Sequence, residues 1–266
     1  MSIRTAVGAA LLLALACAVP AAAQDMMRHV DLTSPEMTSA EMTRAGVEAA
    51  IAAATSARPA DFTGRRLSGL DLSGLDLSGV VLRAAKLNKT NLADAKLDRA
   101  ILDQAWLVEA DLRHASLQGA NVFAAQMQRA KLDGADLTSA RIAADLTNAS
   151  LSDARLIGAN LAADMKNQSM GLMRAVLKSA NLERAILRDA DLSRANLEFA
   201  SLKDADLTNA SLRGAELGGA NLTGVKIAGT DFLGADLTSA RLIAPIGLGA
   251  AKNFDQAKNI DRLLRN

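Results

Sequence analysis

From Ala95 to Gly119 the chain reads AKLDR AILDQ AWLVE ADLRH ASLQG: alanine opens each unit, leucine follows two places later, and mostly polar residues close it. The same spacing extends from Ala60 to Leu242. A central apolar residue falls at 62 and every five positions to 142, at 146 to 161, and at 172 to 242, which makes 36 units. Leucine fills 30 centres and Phe62, Val122, Met127, Ile142, Ile227 and Phe232 the others, while alanine stands two places before 28 of them, so the slot beside each leucine is reserved for a small side chain. A period sustained this far decides the architecture before any local motif is considered.

In an extended segment alternate side chains share a side, so alanine at i−2 and leucine at i point inward while the residue between them points out. The two following positions carry Ser, Gly, Asp, Arg, Asn and Lys, which turns and solvent accept. A short inward pair and a turn, repeated, make a coil with flat faces. A helix is excluded, because successive leucines would lie roughly 500° apart and smear around the cylinder.

Residues 60 to 242 resemble the pentapeptide-repeat proteins. The resemblance implies an all-β solenoid, a right-handed quadrilateral β-helix with four units per coil and leucine stacked on leucine along the axis. With the degenerate stretch around Lys166 counted as a further unit, the rod is expected to hold a little over nine coils and to measure about 45 Å at ~4.8 Å per stacked strand. Register slips twice: Ile142 and Leu146 are four apart, Leu161 and Leu172 eleven. The two slips cancel on this count, and residues 163–171 are expected to form a bulge or short loop on an unbroken rod.

Outside the repeat, residues 1–23 have the pattern of a secretory signal peptide: Arg4, an apolar run from Ala6 to Val19, and Ala21-Ala22-Ala23 before Gln24. The run is short for a membrane span. A periplasmic or secreted protein cleaved near Ala23 is expected. Cys17, the only cysteine, lies inside that segment, and lipoprotein anchoring through it is the lesser alternative. Residues 24–34 are expected to be a disordered tail and residues 35–57 a capping helix, with Ser34-Pro35 as one start, Thr38 and Glu41 as a capping box, and Val47, Ala50, Ile51 and Ala54 as its stripe. A solenoid must cover its first coil, and a helix does so. Residues 60–244 form the β-helix and 245–266 a C-terminal cap, with Asn259 to Arg265 as a short helix. In some members of the family the far end makes a dimer, so a homodimer through a rod end is also expected from the resemblance. All four prolines, at 20, 35, 59 and 245, fall outside the repeat, as ladders needing every backbone donor require.

Little points to catalysis or to a cofactor. The two histidines are His29 in the tail and His114 on the outside of the rod, with no nucleophile or carboxylate converging on them. Met26, Met27, His29, Met37 and Met42, and separately Met165, Met170 and Met173, cluster in sequence; thioethers with imidazole suit Cu(I), but tail and cap contacts for the first group and filler at the register break for the second are the expected account. Residues 60–244 carry 22 acidic and 22 basic side chains, interspersed, so no field attracts nucleic acid or imitates it. With one Trp and no Tyr, a base-stacking platform is not expected either.

The feature that points to a partner is apolar. Four units per coil stack Val81 on Ile101, put Phe123 one coil further, and place Trp106 and Val108 on the adjoining face; five such residues within a few coils form a candidate protein-binding patch. The sequence therefore reads as an exported, non-enzymatic scaffold for an unknown protein partner in the bacterial envelope. The alternative implied by the family is a DNA mimic acting on gyrase, as its quinolone-resistance members do, and copper binding is a minor one.

Overall fold

An extended residue flanked by two inward side chains can pair with one neighbour below and one above before the chain turns, and the protein is built from that single pairing. The computed structural model describes residues 30–165 and 173–265. Parallel bridges link positions 20 apart: Asp61, Val81 and Ile101 lie on face one, Arg66, Lys86 and Trp106 on face two, Asp71 and Asn91 on face three, Asp76 and Lys96 on face four. Among the described residues three faces carry nine rungs and the fourth eight. Each rung is one residue wide, so among the described residues the solenoid consists of ladders of isolated bridges and contains no extended sheet.

Two hydrogen bonds make a rung: Leu102 N–H donates to Asn121 O at 2.7 Å, and Asn121 N–H to Ala100 O at 3.0 Å. The corner is a turn closed by Ala105 N–H to Leu102 O at 3.0 Å, and its third residue, Gln104, takes φ 59°. That left-handed conformation costs a non-glycine residue about 1–2 kcal/mol. It also aims the Gln104 N–H at Phe123 O, 2.8 Å away in the next coil, so the strained residue contributes to the ladder.

The leucine and alanine columns are buried along the rod. Each leucine contributes on the order of 1.5–3 kcal/mol. Where threonine replaces alanine, at Thr90 and Thr230, the buried hydroxyl donates to the carbonyls of Leu67 and Leu207 in the preceding coil at 2.9 and 2.6 Å, and so stays satisfied.

The register slips do not resolve as counted. Gln126 pairs with Asp145, a 19-residue coil, but Asp145 pairs next with Val176 and Asn160 with Asp191, a 31-residue coil. Lys166 and Leu172, counted among the units, lie outside the described residues, and the rung after Asn160 belongs to Val176. The excursion has a closed neck, Asp164 N–H donating to Met173 O at 2.8 Å. Ion pairs Arg141–Asp164 at 3.2 Å and Arg174–Glu216 at 2.7 Å pin its sides. The rod is continuous on both sides of it.

At the N-terminal end the single helix expected over 35–57 is two, α1 (Pro35–Thr38) and α2 (Arg44–Ala52). Between them Ala40 pairs antiparallel with Leu67, and Glu41 N–H donates to Arg66 O at 2.9 Å. The open edge of the first coil needs a donor there, and an extended residue supplies it where a helical one could not. The Thr38–Glu41 capping box is accordingly not formed. Thr38 ends α1, and Thr43 caps α2 by accepting from Gly46 N–H at 3.2 Å. Val47 is buried, and Ala50, Ile51 and Ala54 pack on the core as the stripe requires. Residues 30–34 of the expected tail run along the rod. The signal segment, with Cys17, and residues up to His29 lie outside the described residues.

At the other end the cap is a further coil. Ile246, Lys252, Lys258 and Leu264 add rungs to all four faces at a spacing of six. Asn253 and Asn259 take the left-handed corners, at φ 52° and 58°, and their amides donate to Asp231 and Asp236 at 2.8 and 2.9 Å. The helix expected over Asn259 to Arg265 is only a 3-10 turn, Ile260–Arg262, at one of these corners. Phe254 meets Phe232 edge-on with centroids 5.2 Å apart.

A candidate partner-binding face

The outward residue of each unit stands between two buried ones, so its backbone is fixed by rungs while its side chain stays outside. Val81 and Ile101 are bridged neighbours on face one, and Trp106 sits between Lys86 and Gln126 on face two. All three are half-buried. Phe123, at the outer edge of face one, lies under the Arg141 guanidinium at 4.2 Å from the ring centroid, a cation–π contact. Val108 does not belong to the exposed group. It is 4% exposed, covered by the segment around Met37, which approaches from the side and follows no repeat arithmetic.

Exposed apolar residues that the repeat pattern did not single out occur further along. Phe199 occupies a left-handed corner at φ 58° and is 62% exposed, with Lys178 Nζ 5.7 Å from its ring. Its ring lies over Gly219, where a Cβ would come within 2.6 Å of Phe199 Cδ1. Ile246, Leu248 and Leu264 are exposed on the final coil. A six-residue spacing of alanine, in AKNFDQ and AKNIDR, was the available signal for that coil.

Charged residues alternate in sign along the columns. Lys89, Glu109 and Arg129 stack on one corner with contacts of 3.7 and 2.7 Å, and Asp153 pairs with Arg184 at 2.7 Å. The Arg129 guanidinium bonded to Glu109 holds that carboxyl below its usual range, and Arg184 does the same for Asp153. Many other aspartates accept from the Ser or Thr two places on; Asp61, for instance, is lowered first by the Thr63 hydroxyl and then by its N–H. These carboxylates therefore serve corners and ion pairs. Among the described residues no group of three or more His, Cys, Asp or Glu is placed to hold a metal ion, and no helix is long and apolar enough to cross a membrane. Met37 is buried, Met42 packs on the core and Met165 is exposed; Met26, Met27, His29 and Met170 lie outside the described residues. His114 is exposed against Gly134.

Four flat ladders around a leucine axis define a solenoid of five-residue units. The family described as pentapeptide repeats matches residues 60–162 and 172–242, and the chain belongs to the pentapeptide-repeat family, whose fold is a right-handed quadrilateral β-helix and whose members are generally non-enzymatic. Among solved structures it is similar to HetL, a pentapeptide repeat protein involved in heterocyst differentiation regulation from the cyanobacterium Nostoc sp. strain PCC 7120, at 29% identity over 82% of this chain and 94% of HetL, with a TM-score of 0.43. It is also similar to trypsin-treated QnrB1, a plasmid-mediated fluoroquinolone resistance protein, at 16% identity over 73% of this chain and 88% of that one, with a TM-score of 0.50. No curated protein matches it in sequence.

Proposed function

We propose that this protein is a non-enzymatic scaffold, exported to the bacterial cell envelope and trimmed near Ala23, whose rod holds an apolar face against a protein partner. One observation carries the reading: Val81, Ile101 and Trp106 are partly exposed on neighbouring rungs of two adjoining faces, on a backbone fixed by hydrogen bonds on either side. Rigid display of an aromatic anchor lowers the ordering cost of association. The exposed Ile246, Leu248 and Leu264 support a second copy joined at the C-terminal end as part of the same reading.

DNA mimicry toward gyrase needs a continuous acidic face, and the alternation of Lys89, Glu109 and Arg129 opposes it. The test is capture from envelope extracts by the mature protein and by Trp106→Ala, with a supercoiling assay alongside. A captured protein that Trp106→Ala no longer retains supports the reading. Inhibition of gyrase at low micromolar concentration, or a full-length chain recovered from the cytoplasm, overturns it.

A further inference from the structure

Residues 30–39 run along face two outside the core. Met37 is 7% exposed yet belongs to none of the inward columns. Its carbonyl accepts from Asn88 Nδ2 at 3.2 Å, and its sulfur lies 3.7 Å from the same nitrogen. Asn88 Oδ1 in turn accepts from Val108 N–H at 3.0 Å. Beside it Ser68 is 4% exposed, and among the described residues its hydroxyl oxygen has no hydrogen-bond partner.

The cover is held weakly. A four-residue helix does not persist alone. The Glu36–Lys86 contact is 3.5 Å long with Glu36 two-thirds exposed, in the range where surface pairs contribute little. A cleft of about 320 Å³ remains between Leu32, Thr33 and Met37 on one side and Gly69, Asn88 and Val108 on the other. The rod side of this contact is rigid and offers an apolar wall at Val108 and an amide donor at Asn88. The segment side is short and incompletely packed.

We propose that the groove over Gly69, Asn88 and Val108 is a peptide-binding site, and that residues 30–39 are its autoinhibitory occupant. The external ligand is a peptide segment that lays an unbranched apolar side chain on Val108 and gives its own carbonyl to Asn88 Nδ2, as Met37 does. The inference extends the scaffold reading and does not depend on the identity of the envelope partner.

The probe is a fluorescein-labelled peptide with the sequence of residues 30–39, VDLTSPEMTS, followed by anisotropy against the full chain and against full-length Met37→Asp, which places a carboxylate on Val108 and releases the segment. At least tenfold tighter binding to Met37→Asp is expected, abolished by Val108→Arg in the same chain and by Asp in place of Met in the peptide. Equal affinity for both chains, or binding that survives Val108→Arg, overturns the proposal. Hydrogen exchange on the unaltered protein tests it independently of any variant. The amides of Met37 and Thr38 are expected to exchange at least a hundredfold faster than the rung amide of Leu107, and equal protection is the contrary result.

Discussion

The two ends of the rod face one problem, an open set of ladders, and meet it differently. At the N-terminal end a foreign element is laid on: α2 crosses the first coil, Val47 enters the core, and a single antiparallel rung at Ala40 occupies the edge of face two. Near this end Arg65, Leu70, Leu75 and Val80 stand in slots that alanine takes later; Leu70 and Leu75 pack on the core and Val80 is buried, while Arg65 turns outward to Glu41 at 3.4 Å. At the C-terminal end the solenoid continues, but with six-residue sides whose extra residue carries Phe254 or Ile260 toward the axis. The first solution is a lid and the second a plug. A lid can detach without disturbing what it covers, whereas a plug shares its rungs with the coil before it.

Substitutions at the two ends test that contrast. Phe232 is fully buried and touches Phe254, so Phe232→Ala is expected to cost about 3–5 kcal/mol and to lower the midpoint of the whole urea transition. At the lid, Val47→Ala removes two buried methyl groups, worth roughly 1.5–2 kcal/mol. Its loss should be local: the amides of α2 lose exchange protection while those of the rungs keep theirs. If the entire rod melts earlier instead, the lid is part of the cooperative unit. Asn259→Ala removes both a side chain suited to φ 58° and its bond to Asp236, and about 1–2 kcal/mol is expected by thermal melting. Glycine there should recover part of the loss by relieving the backbone alone.

Acid should separate the ends most gently. Glu41, which joins the lid to the first coil, is lowered from 4.5, first by the Arg66 N–H and also by Arg65. Burial alone would raise Asp236 in the plug, but bonds from Thr238 and Asn259 outweigh it and leave it lowered from 3.8. A carboxylate with a depressed folded pKa stabilises above its unfolded value, and that contribution is lost as pH falls through the folded one. The contribution of Glu41 to holding the lid should therefore be lost as pH falls below 4.5 and that of Asp236 to the plug as it falls below 3.8; helical circular dichroism follows the first and exchange of the Lys258 rung amide the second.

The columns were legible because a period of five is a one-dimensional property, and the stripe of α2 because a helix has its own period. What failed came from outside these periods. Val108 occupies an outward position by any count, and only a segment arriving from 70 residues earlier covers it. The break between Ile142 and Leu146 removes one residue and the passage from Leu161 to Leu177 adds eleven, so the net surplus of ten equals two units. Phase alone cannot distinguish two units from an excursion. The single helix over 35–57 failed for a different reason: propensity does not report that Arg66 O, far along the chain, needs a donor. The final coil could have been read from its two AKN hexads, but they lack the leucine that marks a centre.

The excursion in the 31-residue coil leaves face one at Asn160 and returns on face two at Val176, one corner later, with its neck tied by Asp164 and Met173. The ladder resumes above Asp145 after these 31 residues. The consequence is one of inheritance: the rungs at Asn160 and Val176 and the Asp164–Met173 neck lie outside the excursion, so a change of length there is expected to be borne at one corner while the axis keeps its phase.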